Sequence, residues 1–150
     1  MREAITADLK TATLARDKQR TGALRLISAA IKDRDIVARG AGQPQASDTE
    51  LVDLLAKMVK QRLESARIYE ENGRAELAEQ ERAEIAVIEH YLPKQLSEDE
   101  AKAAIAKVIA DTGAAGVKDM GKVMAELKTR HAGQMDFSKA SAAVKAALTA

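Results

Sequence analysis

Residues 91–100 (YLPKQLSEDE) constrain the fold most strongly, because they end one helix and begin another within ten positions. Pro93 lacks the amide donor that a helix interior requires, and its ring disfavours the helical conformation at Leu92. Ser97 and Glu100 have the spacing of a capping box, in which the serine hydroxyl accepts from the glutamate amide and the glutamate carboxylate accepts from the serine amide. The pattern predicts that one helix ends near Leu92 and that the next begins directly after Ser97.

The balance of arginine and lysine changes across this junction. Residues 1–92 contain ten arginines and five lysines, whereas residues 93–150 contain one arginine and eight lysines. We therefore expect two units, an N-terminal helical subdomain of residues 1–92 and a C-terminal helical subdomain of residues 93–150.

Both units have the periodicity of amphipathic helices, and no segment alternates apolar and polar residues as a half-buried strand does. The predicted fold class is all-α and multihelical, with four helices in the first subdomain and a three-helix bundle in the second. The first four cover about residues 2–16, residues 20–39, the stretch from a second capping box at Ser47 and Glu50 to the turn at Asn72 and Gly73, and residues 74–92. The last three cover about residues 98–111, 120–130 and 138–148.

Each subdomain has a candidate core of aliphatic side chains. The apolar face of the third helix is predicted to contain Leu51, Leu54, Leu55, Met58, Leu63 and Ala66. The core of the second subdomain is predicted to contain Ile105, Val108, Ile109, Val123, Met124, Leu127, Val144 and Leu148.

Charge and cysteine content exclude several classes of protein. The 24 basic and 23 acidic residues leave a net charge of +1, which excludes a strongly basic nucleic-acid-binding tail but allows a local phosphate-binding patch. With no cysteine, the chain can form neither disulfides nor thiolate metal sites. No apolar run of 18 residues and no signal peptide are visible, so we expect a soluble cytoplasmic protein without membrane association.

No group of side chains predicts a catalytic, cofactor or metal site. Residues 116–123 (GVKDMGKV) come within one residue of the phosphate-loop motif, but Val123 replaces the required Ser or Thr and no strand precedes the loop. A glycine turn into a helix, with Asp119 as N-cap and Lys122 in solvent, is the simpler interpretation. His90 and His131 lie in different subdomains and are expected at the surface near helix C-termini, where a positive imidazole is stabilised.

Cations on the second and third helices form a candidate binding surface. Three of them recur every seven residues on the second helix and shift by only about 20° per step, and three more share a broad arc on the third. If the two arcs face the same side, they would form a phosphate-binding surface for an RNA backbone. The candidate RNA-binding residues are Arg25, Lys32, Arg39, Lys57, Lys60 and Arg67.

The alternative interpretation is that these cations are solvated helix flanks, paired with Asp33, Asp35 and Glu64. The chain has only three aromatic residues, which argues against a platform for base stacking. Any RNA recognition is therefore expected to depend on shape and phosphates, as in a folded, double-stranded elbow.

Several short motifs follow one another in order along the chain. They are LRLISAAIK at 24–32, KQR at 60–62, GR at 73–74, YLPKQLS at 91–97 and DMGKVM at 119–124, followed by Gly133, Asp136, Ser141, Val144, Lys145 and Leu148. Together they resemble the free-standing YqeY-like proteins of the GatB/YqeY domain family over essentially the whole chain. The resemblance implies two different helical subdomains.

This resemblance also implies a function related to tRNA. A similar domain forms the C-terminal tail of the B subunit of glutamine-dependent aminoacyl-tRNA amidotransferases and engages tRNA away from the chemistry. The activity attached to the family is that of a carbon–nitrogen ligase with glutamine as amido donor. This chain lacks the large catalytic body of that enzyme, so we expect a tRNA-binding accessory module without autonomous catalysis and without a cofactor. The expected partners are tRNA and an amidotransferase or aminoacyl-tRNA synthetase; the alternative is a protein-docking module without RNA contact, and the oligomeric state is left open.

Overall fold

A computed structural model describes residues 1–149, and these residues form seven α-helices, one short 3₁₀ turn and no strand. The all-α prediction is confirmed. The helices are α1 (Arg2–Leu14), α2 (Lys18–Gly40), α3 (Asp48–Glu71), α4 (Ala75–Glu89), α5 (Glu98–Thr112), α6 (Met120–Arg130) and α7 (Phe137–Thr149). The 3₁₀ turn, Val117–Asp119, directly precedes α6.

Both predicted capping boxes are present. The Ser97 hydroxyl accepts from the Glu100 amide at 3.1 Å, and the Ser97 amide donates to the Glu100 carboxylate at 3.1 Å. Ser47 and Glu50 make the same reciprocal pair at 3.2 and 3.3 Å. These bonds satisfy amides that the first turn of a helix otherwise leaves without partners, and so they set where α3 and α5 begin.

Two helices end in the same backbone motif although their residues differ. After α3, Gly73 has φ +71°, and the amides of Gly73 and Arg74 donate to the carbonyls of Glu70 and Tyr69 at 3.1 and 2.8 Å. This is a Schellman motif with glycine in the left-handed position, as the Asn72–Gly73 pair predicts. After α1 the same two bonds form around Arg16, whose φ of 58° is the one positive value at a non-glycine residue within 1–149. The helix predicted to reach Arg16 therefore ends at Leu14.

The backbone contacts divide the chain into two units, Met1–Leu92 and Pro93–Ala150. In the first, a core cluster from α1, α2, the start of α3 and the end of α4 includes the fully buried Leu24, Ile27 and Leu55. Helices α3 and α4 form an antiparallel hairpin.

A buried polar network joins the start of α1 to the loop that follows α2. The Arg2 guanidinium donates to both carboxylate oxygens of Asp35, at 2.7 and 2.8 Å, and to the Ala46 carbonyl at 2.9 Å. Asp35 also accepts from the Ala46 amide at 2.9 Å. The hydrogen bond from Arg2, followed by the one from Ala46, lowers the pKa of Asp35 from 3.8 to about 2. The sequence pattern did not reveal this network, because its members lie 33 and 11 positions apart.

One predicted core residue is exposed. Leu63 was expected on the inward face of α3, but it is 53% exposed. It lies five positions after the buried Met58, which is about 140° around the helix, and therefore on a different side.

The second unit has its own core, made by α5, α6 and α7. Its buried residues include Val108, Val123, Leu127 and Val144. The residues after Pro93 are held on this unit, because the Leu96 amide donates to the Gln134 carbonyl at 2.8 Å.

The glycine turn before α6 differs from its prediction in two contacts. Asp119 does not cap α6 with its side chain; its carboxylate accepts instead from the Ala115 amide at 2.9 Å. Lys122 is not simply solvated, since its ammonium donates to the Thr112 carbonyl at 3.0 Å. The first contact closes the loop on itself, and the second ties it to Thr112 at the end of α5. Helix α5 stands where a phosphate loop requires a strand.

Candidate nucleic-acid interface

The outer edge of α2 carries Arg25, Lys32 and Arg39, all exposed. Seven residues of helix rise by about 10.5 Å, so the three cations span roughly 21 Å along the helix. None of them forms a salt bridge within residues 1–149. The α2 edge, defined by these three residues, therefore presents a row of positive charge that no salt bridge among the described residues neutralises.

The predicted arc on α3 is exposed as well, but its charge is partly compensated. The Arg67 guanidinium pairs with Glu64 and, at 2.7 Å, with Glu71. The hydrogen bond from Arg67 lowers the pKa of Glu64, and the bond to Glu64 raises the pKa of Arg67. Here the alternative interpretation of a solvated, paired flank describes the observed contacts. Lys57 and Lys60 are the other two members of this arc, and both are exposed.

Helix geometry turns the α2 edge away from α3. Arg34 of α2 forms a salt bridge with Glu50 at the start of α3, so the side of α2 that carries Arg34 faces α3. Lys32 precedes Arg34 by two residues, which is about 160° around the helix. Arg25 and Arg39 follow the Lys32 side because they are seven residues from it. The structure thus brings three of the six predicted cations together on α2 and places the other three on a separate helix surface.

The acidic residues expected to neutralise the α2 edge do not do so. Asp35 points into the network with Arg2, and Asp33, two residues away on the opposite side of α2, forms no salt bridge within residues 1–149. Arg39 contributes a small electrostatic effect to the lowered pKa of Asp35 but no ion pair.

A shallow groove at the turn between α1 and α2 was missed by sequence reasoning. It has a volume of about 290 Å³ and is lined by Asp8, Thr11, Asp17 and Arg20, together with two alanines. The Tyr91 hydroxyl donates to Asp8, 83 residues earlier in the chain. Burial, followed by this hydrogen bond, raises the pKa of Tyr91 to about 12. No local sequence pattern signals a pair so distant.

Both histidines follow a helix, as expected. His90 is exposed after α4, and His131, half-buried after α6, lies with Nδ1 3.1 Å from the Gln134 side-chain oxygen. Among the described residues, no group of three or more His, Asp or Glu side chains has an arrangement that could hold a metal ion.

Comparison with known proteins decides the family. The family model described as Yqey-like protein matches residues 2–148. The chain belongs to the YqeY-like family. The resemblance expected from the ordered motifs is confirmed.

Three relatives of this YqeY-like chain, from Eremothecium gossypii, Lachancea thermotolerans and Saccharomyces cerevisiae, share one name, "Altered inheritance of mitochondria protein 41, mitochondrial". The protein from Eremothecium gossypii is 32% identical over 146 residues, which cover 95% of this chain and 78% of the relative. Those from Lachancea thermotolerans and Saccharomyces cerevisiae are 35% and 31% identical over 57% and 59% of this chain. These two alignments span 44% and 46% of the relatives' own lengths.

The relatives overturn one prediction. A cytoplasmic location was expected from the sequence, but the names of these proteins place them in mitochondria, so that expectation is wrong. The cytoplasmic expectation rested on the lack of a visible targeting segment, and receptors recognise such a segment independently of the fold. None of the helices within residues 1–149 of the YqeY-like chain has the length and apolar character needed to cross a membrane.

Proposed function

We propose that this YqeY-like chain is a tRNA-binding accessory module whose RNA contact is the α2 edge. One observation carries the proposal: Arg25, Lys32 and Arg39 are exposed, evenly spaced and outside any salt bridge within residues 1–149, on one edge of one helix. Cations in this arrangement release counterions from a phosphate backbone when they bind it, and this release supplies sequence-independent affinity. Lys57, Lys60 and Arg67 form a second, weaker cationic surface on α3.

The contact is made to phosphates and RNA shape rather than to stacked bases. Phe137 packs on the core of the second unit, Tyr91 is engaged with Asp8, and Tyr69 is half-buried on α3. None of the three aromatic rings therefore belongs to α2, where a base would have to stack. The first unit as a whole carries 15 basic and 16 acidic side chains, so the attraction is local to the α2 edge.

The chain acts beside an amidotransferase rather than as one. The motifs resemble the free-standing YqeY-like proteins, and the similar domain in the tail of the amidotransferase B subunit supports a role at the tRNA. Within residues 1–149 there is no nucleotide-binding loop for the ligase chemistry. Purified chain is expected to give no glutamine- and ATP-dependent conversion of misacylated tRNA. Turnover by the chain alone would contradict an accessory role.

A filter-binding titration with total tRNA at two salt concentrations tests the proposal. We expect binding below about 100 μM at low salt, with weaker binding at high salt. The triple variant R25Q/K32Q/R39Q should weaken binding and lower the slope of log K against log salt by about 2 to 3, because each lost phosphate contact removes nearly one unit.

The matched control removes three exposed lysines from the second unit, K102Q/K139Q/K145Q. It lowers the net charge equally and should leave the slope nearly unchanged if the α2 edge is the contact. Equal losses in both triple variants would mean that overall charge, and not the α2 edge, attracts RNA.

The relatives' names bear on which RNA is the natural one. Because those proteins are called mitochondrial, we propose that this chain acts in the same compartment and that mitochondrial tRNA is the second probe to titrate. Tighter binding of mitochondrial than of total tRNA would support this assignment, and equal binding would argue against selectivity.

A protein-docking module without RNA contact is the second candidate. It is favoured by three large apolar side chains exposed on α2: Leu26 at 47%, Ile36 at 62% and Val37 at 63%. Pull-down of an amidotransferase or synthetase from a lysate treated with RNase would support docking, whereas partners that disappear with the RNA would support the tRNA proposal.

A further inference from the structure

The far end of the α3–α4 hairpin lies outside the core of the first unit. We call residues 62–84 the hairpin end, because the salt bridge between Arg62 and Glu84, at 3.0 Å, marks its base and the turn at Gly73 marks its tip. The core cluster stops at Val59 on α3 and resumes at Val87 on α4. About 12 residues of α3 follow Val59, so the hairpin continues for roughly 18 Å past the core.

The hairpin end is acidic and partly apolar. It contains seven carboxylates and four arginines, a net charge of −3. Three of those arginines pair with glutamates of the same segment, whereas Glu76 and Glu79 are exposed and form no salt bridge within residues 1–149. It also exposes Leu63 at 53% and Ile68 at 44%; these two are five residues apart, so they lie about 140° apart around α3 and on different sides of it.

The outer side of α2 carries exposed cations and exposed apolar side chains, which complement the hairpin end. Leu26 and Val37 are eleven residues apart, which places them within about 20° of each other, and Ile36 lies between that line and the α2 edge. Three exposed cations that form no salt bridge within residues 1–149, beside exposed apolar side chains, fit an acidic surface that also exposes an apolar side chain. Each copy of the chain carries both surfaces.

We propose that two copies of the chain associate by packing the acidic hairpin end of one copy against the outer side of α2 of the other. A two-fold arrangement makes this contact twice, and an arrangement that does not close makes a chain of copies. The apolar side chains supply most of the affinity, and the charges select the pairing, since single exposed ion pairs contribute little. This contact needs no RNA to form, but it uses the same cations, so tRNA and a second copy compete for the α2 edge.

Sedimentation velocity of the full chain over a range of concentrations tests the proposal without RNA. The mass should rise with concentration at low salt and move towards that of the monomer at high salt, where charge attraction is screened. A monomer at every concentration in low salt would overturn the proposal and leave the outer side of α2 to a different protein.

Charge reversal then identifies the two surfaces. The variants R25E/K32E and E76K/E79K should each lose self-association, because each creates repulsion between like charges at the contact. An equimolar mixture of the two should associate again, since the reversed α2 of one variant faces the reversed hairpin end of the other. Association that survives in either variant alone, or a mixture that stays monomeric, would refute this pairing.

A control variant and a folding check keep the result clear. K139E/K145E reverses two exposed lysines in the second unit and should associate as the unaltered chain does. Circular dichroism of each variant should show unchanged helicity. Retained tRNA binding with no self-association, or the reverse, separates this proposal from the proposed function.

Discussion

Replacing Arg16 with glycine is expected to stabilise the first unit. Arg16 occupies the left-handed position of a Schellman motif with φ 58°, a conformation that costs an L-residue about 1–2 kcal/mol. Glycine removes that cost but loses more backbone entropy on folding, by roughly 0.5–1 kcal/mol relative to alanine. The Arg16 side chain is exposed and forms no salt bridge within residues 1–149, so its removal sacrifices little. The net effect is a gain of about 0.5–1 kcal/mol in the free energy of unfolding.

Urea unfolding followed by tyrosine fluorescence measures this gain in the first unit alone. Both tyrosines, Tyr69 and Tyr91, belong to that unit, and the chain has no tryptophan. At a slope of about 1–2 kcal/mol per molar urea, R16G should raise the midpoint by roughly 0.5 M without changing the slope.

The neighbouring residue provides the control. Ala15 has φ −77°, where glycine relieves no strain, so A15G should lower the midpoint. If R16G lowers the midpoint as A15G does, the left-handed geometry is not costly and the reasoning fails.

Three further predictions concern individual side chains. Because the pKa of Asp35 is lowered to about 2, its stabilising effect is complete above pH 3.8 and is lost as the pH falls through 2. The urea midpoint of the unaltered chain should therefore fall over this pH range, and the midpoint of D35N should not. Urea midpoints of the two proteins that fall in parallel with decreasing pH would contradict the prediction. The pKa of Tyr91 is raised to about 12, so the stability linked to its neutral phenol is present below pH 10 and is lost as the pH rises through 12. Y91F should remove a phenolate absorbance step near pH 12. If that step persists in Y91F, it belongs to a different residue and the prediction fails. Leu127 is fully buried, so L127A should cost about 3 kcal/mol and reduce helicity while the tyrosine midpoint stays constant; a tyrosine midpoint that falls equally would show that the two units unfold as one.

The helix boundaries could be predicted where the signal lies within a few residues. Ser47 and Ser97 act on amides three positions away, and Gly73 is two residues past Glu71, the last residue of the helix that it terminates. The end of α1 lies two residues before the predicted one, because arginine at position 16 gives no sequence signal for a left-handed backbone conformation. Leu63 is exposed because it lies about 140° around α3 from the buried Met58, so its apolar character alone does not place it in the core.

The charge pattern of the candidate interface was only partly predictable for the same reason. Arg67 has Glu64 three positions before it and Glu71 four positions after it, so its compensation follows from helical spacing alone. Asp35 also lies close in sequence to the α2 cations, yet it pairs with Arg2, which is near the start of the chain. A count of nearby acidic residues therefore overestimates the neutralisation of α2.

The α2 edge is a candidate binding surface because its cations form no salt bridges in the part of the chain that the structure describes, whereas Arg67 on α3 does. In a unit with one more acidic than basic side chain, uniform pairing would leave no surface with a positive potential. Long-range contacts prevent uniform pairing, because the network with Arg2 holds Asp35 and the bond from Arg34 holds Glu50. The cations of the α2 edge form no salt bridge within residues 1–149, and neither do Glu76 and Glu79 on the hairpin end. A polyanion and the hairpin end of another copy are therefore alternative ways to compensate the same edge, and added tRNA should dissociate the self-associated chain in proportion to the occupancy of that edge.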